Sequence, residues 1–119
     1  MEAQLIAPDR LAHVPEPIRL VLAKVKRELV DFYGEKLQKV VLFGSYARGD
    51  FHDESDVDLM PVINGTTPAD LRRDGLFELA YSHMERNQIH VSIVPTLAEH
   101  YKRAETFLLM FVQKDGIDL

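Results

Sequence analysis

Apolar residues recur at three- and four-residue spacing from Ile18 to Tyr33, through Val21, Leu22, Val25, Leu29 and Phe32. Arg19, Lys24, Lys26, Arg27 and Glu28 fall between them. That spacing predicts an amphipathic helix with one buried stripe. Pro15 and Pro17 punctuate its start, Pro17 suits the first helical turn, and Gly34 is a natural stop. Residues 1–14 are mixed in character, contain Pro8, and predict an irregular or short helical lead-in. The pattern then changes. Lys39–Phe43 is short, β-branched and apolar on both alternations, as a strand covered on both faces requires. Ser45–Arg48 predicts a short helical turn, and Gly49 to Ser55 a polar loop. Asp56–Ile63 predicts a second strand, with Asp56, Asp58 and Met60 on one side and Val57, Leu59 and Pro61 on the other. Pro61 implies that its later part is irregular or at an edge.

Asn64-Gly65 reads as a turn. Thr67-Pro68-Ala69-Asp70 reads as a helix start, with Thr67 as N-cap and Pro68 at the first helical position. Leu76, Leu79, Ala80, His83 and Met84 share one face of that helix, which is expected to run to about Arg86. Gln88–Val94 alternates as a third strand, ended by Pro95. From Thr96 onward the pattern is helical, with a break expected near Arg103-Ala104 and a stop at Gly116. Phe107–Val112 is apolar at six consecutive positions, more than one helix face, so part is expected to be core and part a partner surface. The order helix, strand, short helix, strand, helix, strand, helix predicts a small α/β (α+β) domain occupying 1–119 as a single unit.

Composition narrows the function classes. The 119 residues suffice for one core. A net charge of -5 makes nucleic acid an unlikely partner, since free-standing nucleic-acid binders usually carry a basic excess. The absence of cysteine removes disulfides and thiolate metal sites. No apolar run approaches the roughly 20 residues that span a bilayer, and the N-terminus has no signal-peptide pattern. The expectation is a cytoplasmic protein with no membrane role.

Candidate chemistry lies between Leu42 and Met60, LFGSYARGDFHDESDVDLM. Gly44 has no side chain and would let a phosphate approach the backbone. Ser45 opens a helical turn, where unpaired N–H groups favour an anion. By itself this pair also fits a plain strand-to-helix turn. Asp56 and Asp58 are two apart on a strand, so both carboxylates emerge on one face. Two such charges repel unless a cation lies between them, and a hard divalent ion such as Mg²⁺ takes oxygen ligands. Asp-x-Asp alone would equally describe an exposed strand face.

The combination is far more specific. GSYARGDFHDESDVDL resembles the signature of the nucleotidyltransferases of the DNA polymerase β superfamily, and within it the minimal nucleotidyltransferase (MNT) family. The likeness is tightest over 42–60 and extends loosely over 17–119, including the ending KDGIDL. The resemblance implies a small mixed β-sheet flanked by helices, similar to the polymerase β palm. It implies a metal-dependent transfer of AMP from ATP to a hydroxyl, with loss of pyrophosphate. Many members are antitoxins of HEPN/MNT pairs, in which the acceptor is a tyrosine of the HEPN-domain toxin. Carried onto this chain, Gly44 and Ser45 would hold the triphosphate, Asp56 and Asp58 would bind two Mg²⁺ ions, and Arg48 would either neutralise phosphate charge or pair with Asp50 or Asp53.

One departure stands out. The superfamily usually supplies a third carboxylate from the next strand, and QIHVSIV offers only His90 or Ser92 on the polar alternation. His90 is the better match by residue type, as a base that works near neutral pH, although imidazole is a poor Mg²⁺ ligand. A strand histidine with only a structural role is the bland alternative. Three functions follow: an adenylyltransferase acting on a HEPN-type partner, a weakened member that neutralises its partner by binding, and a small-molecule nucleotidyltransferase of the aminoglycoside-modifying type. The last would need a homo-oligomer or a second subunit to complete its acceptor site. His52, Asp53 and Glu54 read as a solvated loop and His83 as a packed helix-face histidine, while His13 and His100 carry no signal.

Overall fold

The computed structural model describes residues 8–119. The first half of the expected lead-in, residues 1–7, lies outside the described residues. A 3-10 turn, Pro8–Leu11, precedes helix α1, Glu16–Tyr33. Pro17 sits in the first turn of α1, and Gly34 ends it with φ 61 while its N–H donates to the carbonyl of Val30. The expected stripe is the buried one: Ile18, Val21, Leu22, Val25, Leu29 and Tyr33 face the sheet.

Strand β1, Leu37–Phe43, runs into the short helix α2, Ser45–Arg48, and β2 is Val57–Ile63. After β2 the chain makes a 3-10 turn, Pro68–Leu71, and then helix α3, Arg73–Asn87. Strand β3, Val91–Ile93, is followed by β4, Thr96–Leu97. Two helices, α4 at Ala98–Arg103 and α5 at Phe107–Asp115, lead to β5, Ile117–Asp118.

The sheet is mixed, as expected. β2 pairs antiparallel with β1, β1 pairs antiparallel with β5, and β3 and β4 both run parallel to β2 along its other edge. On one face, Val40, Leu42, Val57, Leu59 and Ile63 pack under α1 and α3. On the other, Val41, Met60 and Val62 pack against Leu109 and Val112 of α5. Every one of those β1 and β2 residues is at most 1% exposed. That explains the doubly apolar reading of β1 and places its core on both sides of the sheet.

Four expectations change. Pro61 lies inside β2 and is buried, paired with Val40, and β2 is central, so the edge alternative is excluded. The irregular alternative is the one present: the ladder shifts register between Leu37 and Lys39, opposite Val62 and Ile63 just beyond Pro61. The helix expected from Thr67 is broken: Arg72 adopts φ 48 between the 3-10 turn and α3. The Tyr33 hydroxyl donates to the carbonyl of Leu71 at 2.6 Å, so that carbonyl is taken by a tertiary partner. Third, β3 ends before Pro95 as expected, but the helix expected from Thr96 starts only at Ala98, because Thr96–Leu97 form β4. The chain pairs with β2 again at Thr96, since an edge position tolerates a residue lacking N–H. Finally, the C-terminal KDGIDL is not all helix and turn, because β5 closes the sheet against Val41 and Leu42. The break expected near Arg103-Ala104 is present, with Ala104 at φ 50.

Asp70 holds the 3-10 turn. Its carboxylate accepts from the N–H groups of Thr66 and Thr67 and from Lys36 Nζ at 3.0 Å. These donors favour the charged form and lower its pKa from 3.8 to about 2. Stabilisation from a lowered carboxylate pKa is complete above the unfolded value and vanishes as pH falls through the folded one. Asp70→Ala is therefore expected to lower the thermal midpoint at pH 5 to 7, with the gap closing as pH approaches about 2. A gap that does not change with pH would show that the carboxylate charge is not what holds the turn.

Candidate functional site

The antiparallel ladder sets Phe43 opposite Asp58, so the carboxyl end of β1 and the amino end of β2 lie side by side. Gly44 leaves β1 at φ 81 and ψ −156, a conformation that favours glycine. A Cβ on Gly44 would run into the Asp58 carboxylate. The turn and the acid are thus in direct contact, and the glycine is required twice over, for its backbone angle and for space. Gly44 caps α2, its carbonyl accepting from Ala47 and Arg48 at 3.1 Å each. The half-buried Ser45 is the first residue of that turn.

Asp58 is half-buried within β2, whereas Asp56 precedes the strand and is exposed. Burial, then the negative charge of Asp56, pushes the Asp58 pKa up from 3.8 to about 6, with Arg48 pulling the other way. Arg48 itself pairs with Asp50, Nε to Oδ2 at 3.1 Å, and both side chains are exposed. Such an exposed pair holds the guanidinium weakly. It is free to exchange one anion for another.

An acid that is partly desolvated beside a like charge fits a hard divalent cation, which would repay both costs. Asp56 and Asp58 are the residues that could hold it. Among the described residues no group of three or more His, Cys, Asp or Glu side chains converges on a metal position.

The third strand begins at Val91, later than the Gln88 expected from alternation, because α3 continues to Asn87 and Gln88 caps it in the left-handed region at φ 59. His90 therefore precedes β3. Its side chain is exposed, and its carbonyl accepts from the Val57 N–H at 2.8 Å. In the parallel ladder Val57 pairs with Val91 and Asp58 with Ser92. Ser92, the other residue offered by alternation, is the one that faces Asp58.

Two supports of the turn carried no sequence signal. His13 Nε2 donates to the Tyr46 carbonyl at 2.7 Å, reaching from the lead-in to α2. Tyr46 is buried and stacks on Phe51 with ring centroids 4.6 Å apart. The first joins segments 33 residues apart that only the fold brings together, and the second depends on the path of the loop after α2. His83 is fully buried in α3, with Nε2 at 2.7 Å from Glu28 Oε1 of α1, and serves packing between the helices.

Comparison with known proteins agrees with the fold. A family model described as the nucleotidyltransferase domain matches residues 22–118. A Methanocaldococcus jannaschii protein provisionally named a protein adenylyltransferase is 42% identical over 43 residues, which is 36% of this chain and 43% of the relative. The chain spans less than half the length of this and three similar relatives. The crystal structure of a nucleotidyltransferase from Sulfolobus solfataricus, also provisionally named, superposes with a TM-score of 0.54 at 29% identity, over 85% of this chain and 79% of that one. A toxin–antitoxin complex with AMP-PNP contains a chain that superposes with a TM-score of 0.54 at 25% identity, over 80% of this chain and 69% of that one. No helix among the described residues is long and apolar enough to cross a membrane.

The raised Asp58 pKa has a consequence for stability. Below pH 3.8 the carboxyl is protonated both folded and unfolded and costs nothing. As pH rises through about 6 the folded protein must ionise a disfavoured acid, so stability without a cation falls. A shift of this size would be worth about 3 kcal/mol for a wholly buried group, and about half that after solvent screening. Asp58→Asn is accordingly expected to stabilise the metal-free protein by about 1–2 kcal/mol at pH 7.5 and to leave it unchanged near pH 3.5. Urea unfolding at the two pH values checks this, and a variant less stable than wild type at pH 7.5 contradicts the assigned strain.

Proposed function

Because the chain belongs to the nucleotidyltransferase domain family, we propose that it transfers AMP from ATP to a hydroxyl group, and that the acceptor is a tyrosine of a HEPN-type partner protein. The observation that carries this reading is the contact between Gly44 and Asp58, which joins a phosphate-sized turn to a carboxylate poorly satisfied without a cation. Gly44 and Ser45 would seat the triphosphate. Arg48, only weakly held by Asp50, would turn to phosphate oxygens. Asp56 and Asp58 would hold Mg²⁺, two ions in the full reading. When bound, the ions supply charge neutralisation for the attacking and leaving oxygens of an in-line displacement.

In that reaction the acceptor oxygen bonds to the α-phosphorus, the bond from the α-phosphorus to its bridging oxygen breaks, and pyrophosphate leaves. The acceptor proton needs a base. His90, at the same end of the sheet, is the residue proposed for it. The relatives named for protein adenylylation, and the toxin–antitoxin chain with AMP-PNP, support the choice of a protein acceptor and an adenine nucleotide. A cytoplasmic location accords with this reading.

One observation favours a second reading, in which the chain neutralises its partner by binding alone. α5 buries Leu109 and Val112 but leaves Phe107, Met110 and Phe111 exposed at 78%, 52% and 60%. These three lie on one side of the helix at i, i+3 and i+4. A small-molecule acceptor is the third function, and no observation among the described residues favours it.

A transfer assay separates the readings. The full chain is incubated with α-labelled ATP, Mg²⁺ and a HEPN-type partner. The expected outcome is label on the partner, reduced at least about a hundredfold by Asp58→Asn. Co-purification of the two proteins with no label establishes the binding reading instead, and neither label nor association removes the partner assignment.

A further inference from the structure

A hard divalent ion takes about six oxygen ligands, and Mg²⁺ dehydrates reluctantly. A protein that binds it tightly alone must therefore supply several carboxylate oxygens in one place. This chain supplies two acids at the amino end of β2, and no third His, Cys, Asp or Glu joins them among the described residues. The reason lies in the sheet. Two strands flank Asp58 on its face: β1 sets the apolar Phe43 opposite it, which leaves β3 to offer a polar side chain, through the pairs Val57–Val91, Asp58–Ser92 and Leu59–Ile93. Paired residues of a parallel ladder point to the same face. The place beside Asp58 is thus occupied by the neutral hydroxyl of Ser92. His90 lies two residues earlier, level with Asp56, ahead of the strand and exposed.

The geometry points to a metal site with two protein carboxylates in which Ser92 takes the third position, so that the cation is held only jointly with the phosphate oxygens of the nucleotide. This rests on the nucleotidyltransferase reading. It deepens that reading by making metal and nucleotide obligatory co-ligands: neither Asp56 nor Asp58 retains the ion once the nucleotide has left. Ser92 is here a specificity-determining position for the metal. It hydrogen-bonds or yields space, and it contributes no charge.

The test measures Mn²⁺ binding by the full chain, by electron paramagnetic resonance of the free ion, with and without a non-hydrolysable ATP analogue. Wild type is expected to bind Mn²⁺ at least about tenfold tighter with the analogue than without it. Ser92→Asp is expected to gain at least about tenfold without any nucleotide, because a charged ligand is added beside Asp58. Ser92→Asn, similar in size but neutral, is expected to stay at the wild-type value, and so is His90→Ala. The proposal is overturned, with the nucleotidyltransferase reading intact, if wild type binds Mn²⁺ equally well without the analogue. It is likewise overturned if His90→Ala weakens binding as much as Asp58→Asn does. Should Ser92→Asp fold, as judged by its thermal transition, and gain nothing, the position is not part of the site. Should it not fold, the analogue dependence of wild type and the His90→Ala comparison still decide. Absence of Mn²⁺ binding by wild type even with the analogue overturns both the proposal and the reading beneath it.

Discussion

The site depends on one antiparallel pairing. β1 and β2 are neighbours in sequence order, and their ladder puts the last residue of the first strand opposite Asp58 near the start of the second. The chain must then turn away from β1 in the space immediately beside that carboxylate. Only a residue without a side chain fits, and its positive φ aims the following helical turn back across the acid. Shifting the register by one residue would send Asp58 to the opposite face, under α1, where Val57 and Leu59 now pack. The apolar residues of β2 therefore fix the position of its acid. Core packing and candidate chemistry are specified by the same alternation.

The rest of the molecule keeps that pairing rigid. α1 and α3 cover one face, α5 the other, and β5 closes the outer edge of β1. The lead-in contributes as well: Leu11 and Val14 are each 1% exposed, and His13 reaches the Tyr46 carbonyl of α2. This carbonyl lies in the last turn of a four-residue helix, where no intrahelical donor is available to it. A segment that precedes the region matched by the family model thus helps to hold the turn.

Stability and chemistry pull against each other at Asp58. Its burial gives a carboxylate that a cation would satisfy, and it burdens the fold when no cation is bound. The scaffold tolerates this because the two apolar clusters on either side of the sheet are nearly free of solvent. Truncating any one of their large residues would typically cost about 2–5 kcal/mol, more than the burden of one strained acid. At Ser92 the strand adds no further charge beside Asp58, which spares the fold a second like charge on that face.

Much of this was legible in the sequence because it rests on short-range physics. The helical stripe from Ile18 to Tyr33, the glycine that stops it and the doubly covered β1 follow from spacing, while the association of Gly44-Ser45 with Asp56 and Asp58 came from the family resemblance. Features set by contacts between distant segments were not legible. Pro61 left two alternatives open, an irregular strand end or an edge, and only the pairing of β2 on both sides chose the first. Arg72 breaks the helix after the Leu71 carbonyl is taken by Tyr33, 38 residues away. β4 and β5 are two residues each, too short for any periodicity, and exist because the edges of β2 and β1 are there to pair with. The choice between His90 and Ser92 shows the division most sharply. Alternation puts both on the polar side of the same strand, and residue type favours the histidine. Which of them faces Asp58 is a matter of register between two strands, and register is decided by tertiary packing: where α3 ends, and how Val91 and Ile93 seat against the core. The sequence by itself determined most of the local elements and which candidate side chains they bear. The tertiary structure alone decided which of them stand opposite one another.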